Sequence, residues 1–429
     1  MNHEESIQKE PEWFRLDNAA KIYPAVIGGE FTAVFRISVL LREDIVYSAL
    51  AAAIPVVAAR FPYFNVKLSN GIFWFYLERN QGKPRLYADI GEVCTGFPVG
   101  SANEVMYRIL VKEKELSIEF VHILTDGGGA LEFLKTFLYQ YLTNTGKISS
   151  LPEGIVSPDA RPDPAEYEDA FGRHFNKQIP ATENPPGAMH LPFSLNRRPR
   201  LRLLTAELPS EAVRLKARSY NLTVTEYLAS VYLKVLQDIF SRLPGKKGRG
   251  IVRVQIPVNL RNHFGSKTMR NFSLFVMPEL DLRLGSYSFE DIARSVHHFI
   301  RLETQPLRIG RIIRRNVGKE RNLLIRILPV FIKKLFLYMA YHTYGSGLNT
   351  GVLTNLGNLK LPPEMAMHAE AFTIIPPPPN KKIKINCGVA SYGEKMRITF
   401  ASIAATRELE KGFFSFLSSE GIEVRLIKS

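Results

Sequence analysis

A proline-rich stretch divides the chain into two parts of regular pattern. Between about residues 150 and 200, prolines recur without periodicity among polar residues. Because proline fixes φ and removes a backbone donor, this stretch is predicted to be an extended connection rather than a helix or a central strand. We therefore predict an N-terminal α/β lobe over residues 1–150, a crossover over residues 151–200, and a C-terminal α/β lobe over residues 201–429.

The first part alternates between strand and helix patterns. Residues Phe31–Leu41 are rich in β-branched and aromatic types and predict a strand, and Glu43–Ala59 has apolar residues at helical spacing. Asn70 and Gly71 separate two short aromatic runs, which indicates a β-hairpin. Residues 116–120 alternate between apolar and polar types, which predicts a strand with one buried face.

The second part of the sequence also combines strand and helix patterns. Thr223 and Glu226 have the spacing of a capping box, which predicts that a helix follows and runs to about Leu243. Alternation or helical spacing predicts the other elements of this part, namely strands near 252–256, 383–389, 396–400 and 422–426 and a helix near 406–421.

Composition bounds the class of protein. Of the 429 residues, 45% are hydrophobic and 23% are charged, which excludes disordered and collagen-like chains. The chain has 56 Lys and Arg residues against 41 Asp and Glu residues, a net charge of +15, which favours a polyanionic partner or provides ordinary solubility. Cys94 and Cys387 form no CxxC motif, and the first residues lack the apolar core of a secretory signal. These features predict a cytoplasmic protein. The sequence also contains no apolar stretch long enough to span a membrane.

One short string contains groups suited to chemistry. His122 follows a predicted strand, Asp126 comes four residues later, and Gly127, Gly128 and Gly129 open a predicted amphipathic helix. A neutral imidazole can take a proton from an attacking alcohol or amine, and glycine permits close approach of a ligand. The three glycines are therefore candidate substrate-binding positions. A buried histidine that only satisfies hydrogen bonds is the alternative interpretation of the same string.

The string from His122 to Gly127 resembles the HxxxDG signature of the CoA-dependent acyltransferase superfamily. That superfamily includes chloramphenicol acetyltransferase, alcohol acetyltransferases and the condensation domains of nonribosomal peptide synthesis. The resemblance implies a two-lobed α/β fold of the chloramphenicol acetyltransferase type, with a mixed sheet flanked by helices in each lobe and an active-site channel between the lobes. As a whole, the chain looks most similar to bacterial alcohol acetyltransferase-like proteins. It lacks the plant-type DFGWG motif and has Val121 where condensation domains have a second histidine, which argues against those two subfamilies.

The resemblance also implies roles for individual residues. His122 would be the general base, and Asp126 would orient the site by pairing with an arginine, for which Arg261 in the string PVNLR is the candidate. An Asn-Phe pair ten residues after Arg261 adds to this resemblance. Thr354 and Asn355, in the string TNLG, are candidate donors to the oxyanion of an acyl-transfer reaction. The alternative for these two residues is ordinary turn chemistry, and for Arg261 a solvated loop cation.

By the same resemblance, the co-substrate would be acyl-CoA and the acceptor a hydroxyl or an amine. No metal and no prosthetic group are expected, and no nucleic-acid-binding motif is present. Loop cations are the candidates for holding the CoA phosphates, although a solvated loop is the alternative for each, and they are Arg198, Arg200, Lys246 and Lys247.

Residues 308–341 combine arginines and lysines with a strongly apolar stretch. This pattern is typical either of peripheral membrane contact or of a buried or channel-lining helix with cations that reach solvent. The leading hypothesis is a cytosolic acyltransferase. The alternative is a non-catalytic module of the same fold that binds a carrier protein or a lipid. Oligomeric state is left open.

Overall fold

The computed structural model describes residues 11–28, 31–198, 200–248 and 250–427, with only the backbone of Lys246 and Lys247. The strands within these residues are β1 Trp13–Arg15, β2 Val34–Leu41, β3 Val66–Asn70, β4 Phe75–Arg79, β5 Leu86–Ala88, β6 Tyr107–Lys112, β7 Glu115–Val121, β8 Arg202–Pro209, β9 Ile251–Asn259, β10 Ser273–Val276, β11 Glu279–Asp281, β12 Gly351–Asn358, β13 Ala369–Ile375, β14 Ile385–Tyr392, β15 Lys395–Ser402 and β16 Arg425–Ile427. The helices within them are α1 Tyr23–Val26, α2 Tyr47–Arg60, α3 Gly127–Asn144, α4 Ala170–Arg173, α5 Ser210–Ser219, α6 Val224–Ser241, α7 Arg261–Phe264, α8 Phe289–Glu303, α9 Pro306–Glu320, α10 Leu323–Ile327, α11 Val330–Ala340, α12 Pro363–Ala366 and α13 Glu408–Ser419.

Two mixed sheets form the framework of the fold. One has the strand order β13-β2-β7-β6-β5, and the larger one has the order β10-β9-β12-β14-β15-β8-β16, with β11 also paired to β9. Each sheet contains parallel and antiparallel neighbours, since β5 is parallel to β6 and β12 is parallel to both β9 and β14. The prediction of a mixed α/β fold with helices against mixed sheets is confirmed.

One strand links the two parts of the chain. β13 comes from the second part, yet it pairs antiparallel with β2 in the sheet of the first part. The range 201–429 therefore contributes to both sheets. The boundaries at residues 150 and 200 stay a prediction.

Local sequence signals explain several elements. The Asn-Gly signal lies at the tip of an antiparallel hairpin made by β3 and β4. Thr223 and Glu226 form the capping box that starts α6, with the Thr223 hydroxyl accepting from the Glu226 N–H and the Glu226 carboxylate accepting from the Thr223 N–H. Both elements follow from side chains that satisfy or shape the backbone within a few residues.

The expectation that the strand over residues 116–120 has one buried face is wrong, because both faces of β7 are buried. The polar face is satisfied inside the protein: Ser117 lies within hydrogen-bond distance of Ser38, and the Glu119 carboxylate forms ion pairs with Arg36 at 2.8 Å and with Arg108 at 3.0 Å. A buried carboxylate is tolerated where cations and donors surround it. β7, which ends directly before His122, is therefore held by contacts on both of its faces.

Candidate active site

His122 directly follows β7 and lies at the contact between the two parts of the chain. Its backbone N–H donates to the Ala33 carbonyl at 2.8 Å, which fixes the end of the strand. Its ring is half-buried, stacked on Tyr23 with ring centroids 5.3 Å apart and tilted against Phe35 at 4.7 Å. Two aromatic rings therefore restrict the imidazole, and part of its surface stays accessible.

Asn271 fixes the tautomer of His122. The Asn271 amide nitrogen donates to the His122 backbone carbonyl at 3.0 Å and to the Asp17 carboxylate at 3.1 Å, which uses both of its hydrogens. The Asn271 amide oxygen lies 3.2 Å from His122 Nδ1, so Nδ1 must be the protonated nitrogen. The lone pair of the neutral ring is then on Nε2, which makes Nε2 the proton acceptor.

The pKa of His122 is lowered from its usual value near 6.5. Burial of the ring lowers this pKa most, while the hydrogen bond with Asn271 and the charge of Asp126 partly offset it. The imidazole is therefore neutral at pH 7, as a general base must be.

Asp17 lies behind Asn271 and is fully buried. The pKa of Asp17 is raised to about 7, mainly by burial and also by the nearby charge of Asp169, while hydrogen bonds from Asn271 and the Ala20 N–H partly offset the rise. Its second oxygen accepts from the Ala20 N–H at 2.7 Å. A chain of contacts thus connects a titratable carboxyl group to the His122 ring through one amide.

Asp126 caps the N-terminus of α3 and faces an arginine. Its carboxylate accepts from the N–H groups of Gly128 at 3.1 Å and Gly129 at 3.2 Å. Arg261 binds the same carboxylate at two points, 2.8 and 3.1 Å away, and the Phe272 N–H adds a bond at 2.8 Å. Burial alone would raise the pKa of Asp126, but the Arg261 charge and these donors hold that pKa below its usual value. The carboxylate is thus ionised and fully engaged within the protein.

The three glycines are close to neighbouring chain segments. A Cβ on Gly129 would lie 2.2 Å from the Met269 carbonyl oxygen, and a Cβ on Gly128 would lie 2.7 Å from Arg261 Nη1. A Cβ on Gly127 would lie 2.7 Å from the end of the Leu356 side chain. Packing is therefore one reason for glycine at these positions, and their role in binding substrate stays a prediction.

Thr354 and Asn355 lie on β12, which the contact of Leu356 with Gly127 brings to the start of α3. The Asn355 side chain accepts from the Gly357 N–H at 2.8 Å and donates to the Thr225 hydroxyl at 3.0 Å. The local turn therefore uses the amide oxygen of Asn355, and the contact with the distant Thr225 uses one amide hydrogen. The second amide hydrogen is left for an oxyanion, and that role stays a prediction.

The four cations proposed for CoA lie in two connections. Arg198 is exposed and Arg200 is half-buried, both shortly before β8. Lys246 and Lys247 are in the turn between α6 and β9, and their side chains lie outside the described residues. Their contact with CoA phosphates stays a prediction.

Sequence reasoning missed part of the site. Asn271 was noted only as part of a motif, and Asp17, Tyr23 and Phe35 were not singled out. Asp17 and Tyr23 lie within the first 25 residues, far in sequence from His122. No local pattern marks such residues, because only the tertiary fold brings them to the histidine.

No family model matches the sequence, and no curated protein matches it. Solved structures, in contrast, have a similar fold. Among solved structures, the chain is similar to polyketide synthase associated protein 5 from Mycobacterium tuberculosis, with a TM-score of 0.61, 13% identity, and 94% of this chain and 97% of that chain covered. It is also similar to the first condensation domain of the CDA synthetase, with a TM-score of 0.60, 13% identity, and 97% and 99% covered.

A third similar structure is the trichothecene 15-O-acetyltransferase TRI3 from Fusarium sporotrichioides, with a TM-score of 0.60, 9% identity, and 94% of each chain covered. The closer relation to alcohol acetyltransferase-like proteins stays a prediction. The two mixed sheets, and coverage of nearly the whole length of these structures, show that the chain has the two-lobed fold of CoA-dependent acyltransferases and condensation domains.

Proposed function

We propose that this protein is an acyltransferase that moves an acyl group, acetyl or a related acyl, from acyl-CoA to a hydroxyl or amine acceptor, with His122 as general base. The observation that carries the proposal is the arrangement of His122, whose Nδ1 is held by Asn271 while Nε2 keeps its lone pair. The similarity in fold to an acetyltransferase and to condensation domains supports the same reaction class.

In the first step, the acceptor heteroatom attacks the thioester carbonyl carbon while its proton passes to His122 Nε2. A free alkoxide is inaccessible at neutral pH, so removal of the proton during attack lowers the barrier. The resulting imidazolium keeps its Nδ1–H bond to Asn271, and the nearby charge of Asp126 stabilises it.

In the second step, the tetrahedral intermediate expels the CoA thiolate, which takes the proton from His122 Nε2. The carbon–sulfur bond breaks, the new ester or amide remains, and the imidazole returns to its neutral form. Thr354 and the unused amide hydrogen of Asn355 are the proposed donors to the oxyanion. One such donor is worth roughly 3–4 kcal/mol of the barrier in other acyl-transfer enzymes.

Direct attack requires no covalent enzyme intermediate. Cys94 and Cys387 are both buried, and burial raises the pKa of each thiol well above its usual value. Neither thiol is therefore suited to act as the nucleophile.

A screen for released CoA thiol tests the proposal. Acyl-CoAs of several chain lengths are combined with a panel of alcohols and amines, and the His122→Ala protein serves as the blank. The proposal expects acceptor-dependent thiol release by the wild-type protein alone. Equal release by the two proteins, with the ester or amide product formed in both, contradicts it.

A further inference from the structure

Helices α10 and α11 expose large apolar side chains to solvent. Leu323, Leu324 and Phe331 are each more than 70% exposed. We call the apolar face the set of exposed apolar residues on these two helices, namely Leu323, Leu324, Ile327, Phe331, Leu335, Phe336, Tyr338 and Met339. Soluble monomers rarely expose apolar patches of this kind unless the patch binds something.

The opposite side of α11 is attached firmly to the protein. The Lys333 ammonium is buried, donates to the Phe73 carbonyl at 2.7 Å and lies 3.6 Å from the centroid of the Trp74 ring. The Val330 N–H donates to the Ile72 carbonyl at 2.9 Å. Because these contacts fix the helix, its apolar side faces outward as part of the folded structure. The hairpin tip contributes Ile72, which is 76% exposed.

A basic cavity adjoins the apolar face. It has a volume of about 460 Å³, lies between residues 181–184 and α9, and is lined by Arg314, Arg315 and Lys319. Asn322 lines the same cavity, and its side chain caps the N-terminus of α10. A polar group bound in the cavity would therefore lie beside the exposed leucines.

The charge around this surface is strongly unbalanced. Residues 304–345 contain nine Lys and Arg residues and a single acid, Glu320, which is engaged by Lys21 and by Asn18 at 2.8 Å. Within the described part of the chain, neither Arg314 nor Arg315 forms an ion pair, and Glu183 at the cavity is the one carboxylate that lines it. A second copy of the chain would bring two such cationic surfaces together, so the charge favours an anionic partner.

We propose that the apolar face inserts into the surface of a membrane that contains anionic phospholipids, while the basic cavity binds a lipid phosphate. Leu, Phe and Met side chains enter the boundary between headgroups and acyl chains, and the surrounding Arg and Lys residues contact the headgroups. This inference goes beyond the proposed function and does not depend on it. A membrane bound at α11 would lie close to the candidate active site, because α11 packs on α1, the helix that carries Tyr23 beside His122.

Vesicle co-sedimentation of the full chain tests the proposal. Vesicles of phosphatidylcholine with phosphatidylglycerol are compared with vesicles of phosphatidylcholine alone, at low and at high salt. The proposal expects binding to the anionic vesicles to exceed binding to the neutral ones by roughly tenfold at low salt, and to weaken with added salt. Protein that stays in the supernatant with anionic vesicles overturns it.

Matched variants test whether vesicle binding depends on the apolar face in particular or on exposed apolar residues in general. The triple variant Ile327→Ser, Phe331→Ser, Leu335→Ser changes residues that are 59–72% exposed, so it should leave folding intact. The control triple variant Leu215→Ser, Leu284→Ser, Leu426→Ser changes leucines that are 55–79% exposed elsewhere. The first is expected to lose vesicle binding roughly tenfold and the control to retain it. Equal binding by both variants overturns the proposal, as does self-association through this face without vesicle binding.

A fluorescent label locates the inserted surface. Cys94 and Cys387 are buried, so an environment-sensitive dye should label an introduced Phe331→Cys thiol selectively. We expect a blue shift of its emission with anionic vesicles and no shift for Leu284→Cys. A shift confined to the Leu284 position would place the contact elsewhere and overturn the proposal.

Discussion

Asn271 contacts His122 at two points, with its amide oxygen 3.2 Å from Nδ1 and its amide nitrogen donating to the His122 backbone carbonyl at 3.0 Å. The same amide donates to Asp17, so its orientation is fixed from behind. One residue from the second part of the chain thereby sets both the ring position and the tautomer of a histidine in the first part.

Replacement of Asn271 by alanine is expected to lower kcat roughly tenfold or more while KM changes little, because the ring loses the partner of Nδ1 and Nε2 is no longer held as the acceptor. The control is Asn386→Ala, a buried asparagine on β14 that donates to the Pro377 carbonyl at 2.9 Å. Steady-state kinetics and a pH profile distinguish the two variants. An equal loss in both would indicate a general effect on folding instead.

Asp17 should make stability depend on pH. Its folded-state pKa, about 7, lies above its ordinary value of 3.8, mainly because of burial. The folded state therefore holds the proton more tightly, and this contribution to the free energy of unfolding is lost as the pH rises through 7. The wild-type protein should therefore lose about 2–3 kcal/mol of unfolding free energy between pH 5 and pH 8 that the Asp17→Asn variant, which has no carboxyl group there, does not lose.

Urea unfolding at the two pH values measures this difference. Asp44→Asn, at an exposed position, is the control and should follow the wild-type curve. A pH dependence of Asp17→Asn identical to that of the wild type would mean that Asp17 has an ordinary pKa.

Loss of Arg261 should destabilise the fold as well as the site. Arg261→Ala leaves the buried Asp126 carboxylate without its cation, and the expected cost is about 3–5 kcal/mol of unfolding free energy. Arg242→Ala, which removes an exposed pair with Glu408, is the matched control and should leave stability unchanged within error. Denaturant unfolding of both variants checks the comparison, and equal midpoints would contradict it.

The glycines should differ in their tolerance of a methyl group. Gly129→Ala places a Cβ against the Met269 carbonyl and the Thr125 hydroxyl, whereas Gly127→Ala meets only the end of a leucine side chain. Backbone atoms cannot move away as a leucine can, so we expect Gly129→Ala to be the less stable variant by about 1–3 kcal/mol. Thermal unfolding of the two proteins measures the order, and a reversed order would show that the α3 start adjusts easily.

Elements whose signals lie within a few residues were predictable from sequence. The Asn-Gly hairpin and the Thr223 capping box have short-range causes, and the structure contains both. The His-Asp-Gly string likewise indicated where a strand ends and a helix begins. These features require no knowledge of distant residues.

Features that depend on distant contacts were not predictable. No local pattern in residues 369–375 could indicate that β13 joins the sheet of the first part, because periodicity reports burial and not the identity of the neighbouring strand. Arg253 illustrates the same limit. It alternates with apolar residues as an outward position would, yet it is fully buried, where its guanidinium pairs with Glu279 and donates to the Leu348 carbonyl at 2.7 Å.

The most direct test of the account is thiol release by His122→Ala, measured with and without added imidazole. The account predicts a loss of roughly 10²–10⁴-fold in turnover and a partial, concentration-dependent recovery with imidazole, which can occupy the vacated space and accept the proton. Turnover at the wild-type level in His122→Ala, without imidazole, would contradict the assignment of His122 as the base.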